Sequence, residues 1–303
     1  MKQEAHFTTL SNCPSCEGTV FTPHLSAIDH TYSKLEFQLV KCSGCNLVFT
    51  NPRPVEEENA NYYKSADYIS HTNSTKGLIG ILYKWVRNIN LKRKVRVLVK
   101  HKSGKDVLDI GCGTGYFPAA ANAAGYHCVG VEPDPDALKF ALENNKIEAY
   151  PLEKLTIFNR QFNTVTMWHV LEHVYHLREQ LQTIKGLIRP GGLFVIALPN
   201  YKSYDGTLYK EAWAGYDVPR HLYHFEEKTV ESLMNAFGFE LADIIPMKFD
   251  AYYVSMLSEK HRKGSMLTAF LHGRKSNAMA RNKKHPWSSQ IYVFKNTQVK
   301  LEN

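Results

Sequence analysis

From residue 104 onward, short apolar runs alternate with longer segments of mixed polarity. Val107 to Ile110, Cys128 to Val131, Ile147 to Tyr150, Phe162 to Trp168 and Leu193 to Ala197 each read as a strand. The stretches between them are long enough for helices, so the pattern predicts an α/β core. A tight turn, Arg189-Pro190-Gly191-Gly192, precedes the fifth strand. Thr229 to Phe237 reads as a helix ended by Gly238, residues 239–245 as a sixth strand and Gln290 to Phe294 as a last one. Residues 56–102 read as a polar connection and then a helix, with Leu78, Ile79, Ile81, Leu82, Trp85, Val86 and Ile89 as its apolar face. Two insertions interrupt the core. Residues 201–228 are loop-like, and residues 249–285 show helical spacing in Tyr252, Tyr253, Met256 and Leu257, which predicts packing over the core.

The first of these strands runs into Gly111-Cys112-Gly113-Thr114-Gly115. Glycines at alternate positions let the backbone turn sharply and leave no Cβ between it and a ligand. A helix start at Phe117-Pro118-Ala119 then aims free N–H groups into the same space. A dinucleotide fingerprint needs a further glycine three residues after the second, and Tyr116 or Pro118 stands there instead. The second strand ends in Glu132, an acid placed to accept both hydroxyls of a ribose, and Pro133-Asp134 opens the next helix.

This series resembles the class I S-adenosylmethionine (SAM) dependent methyltransferases, whose first motif reads hydrophobic-acid-hydrophobic-G-x-G-x-G. The resemblance implies a Rossmann-like sheet with its last strand antiparallel. It implies cofactor contacts at Asp109, Gly111, Cys112, Gly113, Gly115 and Tyr116, at Glu132 and Pro133, at Leu152 and Glu153 by the adenine, and at Trp168 and His169 after strand four. Ubiquinone-type O-methyltransferases and small-RNA methyltransferases carry a similar E-x-x-E-H cluster that holds a divalent cation. Here His169 takes the first acid's place before Glu172 and His173, a departure that argues against magnesium and for cofactor-edge and helix-face positions.

Ligands in open α/β sheets bind beyond the carboxyl ends of the strands, so the segment after strand five should build the acceptor side. It carries Trp213, Tyr216, Asp217, Tyr223 and the run Pro219-Arg220-His221-Leu222, and a similar P-R-H-L stretch recurs in many SAM-dependent methyltransferases. Arg220 is expected to grip a carboxylate or phosphate, and His221, His224 or His173 to take a proton from the acceptor.

Ahead of the core, Cys13-Pro14-Ser15-Cys16 and Cys42-Ser43-Gly44-Cys45 bracket residues 17–41. Two C-x-x-C turns can direct four sulfurs to one tetrahedral ion, which predicts a structural Zn2+ ribbon with Cys13, Cys16, Cys42 and Cys45 as ligands. Cys112 and Cys128 read as small buried side chains. The expected organisation is therefore a zinc-ribbon-like module (1–55), a helical connector or cap (56–103) and a methyltransferase domain (104–303).

The 303 residues carry a net charge of +8, with cations clustered before the glycine loop and again around residues 274–284. Solvated helix faces explain such clusters as a rule, and an anionic partner is their alternative use. Residues 1–20 hold no apolar run suited to a secretory signal, and no apolar stretch is long enough to span a bilayer, so the expectation is a cytoplasmic protein. The leading expectation is a methyltransferase acting on a small molecule (sugar, lipid-linked or quinone-like). The alternative is an RNA methyltransferase that uses ribbon and basic surface, although the D/N-P-P-Y/F motif of base N-methylation is replaced by Trp168-His169-Val170-Leu171.

Overall fold

The computed structural model describes residues 6–63 and 78–297. At its N-terminal end β1 (Phe7–Thr8) pairs antiparallel with β5 (Arg53–Pro54), closing the chain around β2 (Phe21–Ile28), β3 (Glu36–Cys42) and β4 (Val48–Thr50). β3 alternates as a half-buried strand should, with Phe37 and Leu39 inward and Glu36 and Gln38 outward. All three residues of β4 are buried, because its second edge is covered by β11 (Tyr223–His224), a strand contributed by the P-R-H-L segment. The ribbon and the acceptor-side loop thus share one sheet.

The central sheet has the order β12-β13-β10-β9-β6-β7-β8. Its members are β6 (Asp106–Ile110), β7 (His127–Val131), β8 (Ala149–Tyr150), β9 (Phe162–Trp168), β10 (Ile188–Pro199), β12 (Phe239–Pro246) and β13 (Ser289–Asn296). β8, β7, β6, β9 and β10 are parallel neighbours, and β13 runs antiparallel to both β10 and β12. The strands read as continuous apolar runs because both faces are covered. Leu108, Val165, Phe194 and Phe294 face Leu181, Ile184 and Leu187 of the helix Leu177–Leu187 and Val230, Leu233 and Met234 of the helix Glu227–Ala236. The opposite face sets Val107, Cys128, Val195 and Val293 against Phe117, Ala121, Val97 and Leu98. Leu181 and Ile184 are fully buried, so truncating either to alanine would cost about 2–5 kcal/mol.

Local chemistry sets the helix starts. Asp134 accepts the Ala137 N–H while Pro135 holds the first helical position, so Pro135–Glu143 begins where Pro133-Asp134 predicted. Two expectations are corrected, and the helical reading of the insertion holds. Arg189 to Gly192 is no free turn: it lies inside β10 as a register break between Ile188 and Leu193, where Gly191 has φ +74 and a Cβ on Gly192 would meet the Asn163 carbonyl oxygen at 2.7 Å. The helix Leu78–Lys100 covers the core with Val97 and Leu98, while Trp85 is 57% exposed and the side chains of Leu78, Ile79, Ile81 and Leu82 lie outside the described residues. The insertion forms two helices, Asp250–His261 and Met266–Arg281, brought close by Gly273, where a Cβ would stand 2.8 Å from the Tyr252 Cα. Among the described residues no helix is long and apolar enough to cross a membrane.

Candidate functional site

The glycine turn is built as a cradle. Gly111, Gly113 and Gly115 have φ of +70, +54 and +81, a region that side chains with a Cβ rarely enter. A Cβ on Gly111 would lie 2.5 Å from Val170 Cγ2 and one on Gly115 2.8 Å from Ile147 Cδ1, so these two glycines serve packing. Gly113 differs: nothing lies within 4 Å of where its Cβ would be, so its backbone faces open space that a ligand could approach closely. Glu132 is buried beside it, its Oε2 accepting the Gly113 N–H at 2.7 Å and its Oε1 the Asp134 N–H at 3.0 Å. Burial raises its pKa, and the same two N–H groups restrain the rise. Each carboxylate oxygen keeps a lone pair for a diol. Asp109 accepts the Thr166 hydroxyl at 2.5 Å, and burial lifts its pKa to about 7 against the pull of Thr166 and Lys94. Tyr116 lies under the Arg87 guanidinium at 3.8 Å, Leu152 packs half-buried after β8, and Pro133 and Glu153 are exposed at the rim. Cys112 and Cys128 are buried, as expected, and burial pushes both thiols up.

Lys94 was read as part of a solvated cluster, yet it turns inward. Its Nζ stands 4.5 Å from the Trp168 ring, and burial lowers its pKa to about 8 despite Asp109 and Asp250 nearby. No residue spacing distinguishes it from its neighbours Arg93 and Arg96, so only the packed structure reveals it.

Beyond β9 the chain enters a strained turn with His169 at φ +59. His169 lies between two carboxylates, Nδ1 at 3.3 Å from Glu172 and Nε2 at 3.3 Å from Asp250. Burial works against a charged ring here, but Asp250 and Glu172 outweigh it and raise the pKa to about 9. The two carboxylates thus favour the protonated ring of His169 at neutral pH. The histidines that meet are His173 and His221, T-shaped with ring centroids 4.6 Å apart. His173 Nδ1 is 3.0 Å from the Arg220 carbonyl oxygen, and His221 Nδ1 is 2.9 Å from that of Gly215. Carbonyls only accept, so both Nδ1 atoms carry the proton, and in a neutral ring so fixed Nε2 keeps the lone pair. Tyr63 adds its hydroxyl 2.9 Å from His173 Nδ1. Burial and the neighbouring His221 push the His173 pKa down to about 4.

Glu172 completes the group. It is fully buried, and its Oε2 has no hydrogen-bond partner among the described residues. One donor atom each from Glu172, His173 and His221 lie within 4.8 Å of one another. The set fits a divalent ion, with its histidines fixed through Nδ1 as metal-binding histidines are. Two imidazoles and one carboxylate match a first-row transition ion better than magnesium, which prefers oxygen. The sequence reading had grouped Glu172 and His173 with His169; the structure brings in His221 instead.

Arg220 overturns its expectation. Only 1% exposed, it donates to both oxygens of Asp217 at 3.0 and 2.5 Å, to Asp29 Oδ1 at 3.3 Å, to the Tyr62 carbonyl oxygen at 3.1 Å and to Thr31 Oγ1 at 3.1 Å. Its donors are spent inside the protein, and it ties ribbon to loop. His224 likewise faces the ribbon, with Nε2 3.1 Å from Thr50 Oγ1, whose hydroxyl donates to the His221 carbonyl oxygen at 3.0 Å. Burial keeps His224 uncharged.

The four ribbon thiols converge. Cys13 and Cys45 sulfurs are 3.5 Å apart and those of Cys16 and Cys42 3.6 Å, close to the roughly 3.8 Å edge of a tetrahedron with zinc–sulfur bonds of about 2.3 Å. Gly18 and Gly44 each leave room beside Cys16 Sγ, where a Cβ would come to 3.4 and 3.5 Å.

A sequence profile of the family described as a methyltransferase domain matches residues 84–244. A probable S-adenosylmethionine-dependent methyltransferase of Mycolicibacterium smegmatis is 23% identical over 195 residues, spanning 62% of this chain and 69% of the relative. A ubiquinone biosynthesis O-methyltransferase of Actinobacillus pleuropneumoniae is 28% identical over 173 residues, 52% of this chain and 73% of that one. Among solved structures, magnesium protoporphyrin IX methyltransferase of Synechocystis with bound SAH superposes with a TM-score of 0.52 at 15% identity, covering 78% of this chain and 97% of that one. A sarcosine dimethylglycine methyltransferase of Galdieria sulphuraria gives 0.52 at 11% identity, covering 80% and 99%. The two structural likenesses speak for the fold alone. With the profile spanning the glycine cradle, Glu132 and the β9 turn, and the sheet closed by an antiparallel β13, the chain belongs to the class I SAM-dependent methyltransferases.

Proposed function

We propose that the chain methylates an oxygen or carbon acid of a small molecule, with His221 as the proton acceptor and His173 as its neutral partner. The observation that carries this reading is the convergence of His221, from the segment before β11, on Glu172 and His173 in the turn just beyond β9, whose Val170 abuts Gly111. The acceptor's O–H or C–H proton passes to His221 Nε2, the acceptor atom forms a bond to the methyl carbon, and the carbon–sulfur bond breaks to leave neutral S-adenosylhomocysteine. Because the sulfonium is already activated, the protein's task is alignment in a dry site, with one base. Were a divalent ion held by Glu172, His173 and His221 instead, His221 Nε2 would be its ligand rather than the base, and the ion's charge would acidify an acceptor hydroxyl. The relatedness to ubiquinone biosynthesis O-methyltransferases supports a small acceptor; charge and ribbon alone favour RNA.

His221→Gln is expected to lower kcat by a factor of about 100 or more while leaving S-adenosylhomocysteine affinity within twofold. The measurement is S-adenosylhomocysteine release on a panel of phenols, sugars and lipid-linked acceptors beside a calorimetric titration. Unchanged turnover in the variant would remove His221 from the chemistry, and salt-sensitive binding and methylation of an RNA oligonucleotide would favour the RNA reading.

The Cys13, Cys16, Cys42 and Cys45 cluster is proposed to hold a structural zinc. Metal analysis of purified protein should return about one zinc per chain, and Cys42→Ser, at a fully buried position, should lose it together with several degrees of Tm. A metal-free chain that melts at the same temperature as the loaded one would sink the zinc assignment.

A further inference from the structure

A groove of 270 Å3 opens between the helix Leu78–Lys100 and the chain leaving β12. Its walls carry Arg93, Lys94, Arg96, Lys100 and Lys248, and its floor is apolar, with Val97, Met247 and Ile291. No carboxylate lines it among the described residues. Two of the five cations are matched. Lys100 is paired with Asp243 at 2.5 Å, and Lys94 has Asp109 and Asp250 within electrostatic reach. Arg93 lies over the Phe249 ring at 4.8 Å, and Lys248 near the Trp287 ring at 5.8 Å, so aromatic faces rather than carboxylates hold them in place. Three positive charges, those of Arg93, Arg96 and Lys248, therefore surround one opening with no carboxylate paired to them among the described residues.

Position gives this charge a purpose. β12 is antiparallel to β13, as is β10, so Pro246 and Pro199 end at the same, carboxyl edge of the sheet, where ligands of such sheets bind. The groove's inner wall is Lys94, whose Nζ stands 4.5 Å from the ring of Trp168 at the cofactor edge. An anion seated here would thus lie beside the cofactor pocket rather than on a remote surface. Two guanidinium forks and an ammonium exceed what a single carboxylate can satisfy, whereas a diphosphate carries matching charge and enough oxygens for both forks. The volume, smaller than a whole ligand pocket, suits one such group with the rest of the molecule reaching toward His221.

We propose that this groove binds a phosphate or diphosphate ester carried by the methyl acceptor. The proposal rests on the reading of the chain as a small-molecule methyltransferase. It is tested by titrating inorganic pyrophosphate, at low ionic strength, into protein saturated with S-adenosylhomocysteine, beside an Arg96→Gln/Lys248→Gln double variant. Saturable binding to wild type, weakened about tenfold or more in the variant with Tm and S-adenosylhomocysteine affinity unchanged, is the expected result. Displacement of pyrophosphate by a short polyprenyl diphosphate or by a nucleoside diphosphate would support the site and show which source it serves. Wild type that binds S-adenosylhomocysteine but not pyrophosphate, or a variant that binds pyrophosphate unchanged, would overturn it. So would displacement by RNA that strengthens with oligonucleotide length. Failure to bind S-adenosylhomocysteine would instead strike the underlying methyltransferase reading.

Discussion

Replacing Arg220 by methionine is expected to destabilise the fold by about 3–5 kcal/mol, the range for removing one partner of a buried ion pair. Asp29, fully buried, would lose its guanidinium partner and Asp217 its bidentate one, while the methionine would leave the Tyr62 carbonyl oxygen without the Arg220 donor. The pH dependence identifies the mechanism. Burial alone would raise Asp29, but the Ser33 N–H, Arg220 and the Tyr32 and Thr31 N–H groups outweigh it and hold its pKa low. Asp217 is likewise held low, burial being overcome by Arg220. Carboxylates with depressed folded pKa values stabilise fully above the unfolded value near 3.9, and the contribution fades as pH falls through the lower folded value. Without Arg220 the buried carboxylates prefer to be neutral, so the variant's deficit should shrink as pH drops from 7 to 4. Urea melts of both proteins at the two pH values check this. A deficit that stays constant or grows in acid would mean that Arg220 acts through packing and not through its charge.

Glu132→Ala should weaken S-adenosylhomocysteine binding by about 3 kcal/mol, roughly a hundredfold, since two charge-assisted hydrogen bonds to a ribose diol are lost. The Gly113 and Asp134 N–H groups lose their acceptor at the same time, which loosens the cradle. Gly113→Ala provides the complementary test. Its Cβ would meet no protein atom within 4 Å, so any large loss of affinity must come from collision with the cofactor or from strain at φ +54. Calorimetry on folded variants measures both. Affinity within threefold of wild type for Glu132→Ala would move the ribose away from this carboxylate.

The geometry of the glycine turn, of Glu132 beside it and of the four cysteines was legible in the sequence because its determinants are local. Glycines at alternate positions, an acid at the end of the next strand and paired cysteines each encode their geometry within a few residues. The histidine cluster beyond β9 was legible as a set of residue types but not as an arrangement. His173 and His221 meet ring to ring across the fold, each fixed by a backbone carbonyl, and nothing in the spacing of His169, Glu172 and His173 indicates that the first of these bridges Glu172 to Asp250. Arg220 was misplaced for the same reason: its partner Asp29 is 191 positions distant, and a buried ion pair looks in sequence like any exposed arginine. Lys94 was hidden by company, one half-buried cation among other cations in a helix whose fully covered turn, among the described residues, is Val97–Leu98. The β10 bulge was read as a turn because proline and two glycines usually end a strand.

The pairing of β4 with β11 makes the first 55 residues inseparable from catalysis in a practical sense. Cutting the chain at the catalytic core would strip a neighbour from the Tyr223–His224 edge and bare Leu222 and Phe225, which are buried in the intact fold. An open strand edge flanked by newly exposed apolar side chains is a template for association with other chains. A core expressed alone would therefore be expected to aggregate rather than to work slowly, and exchange of ribbons between homologues would succeed only where the P-R-H-L segment travels with its ribbon.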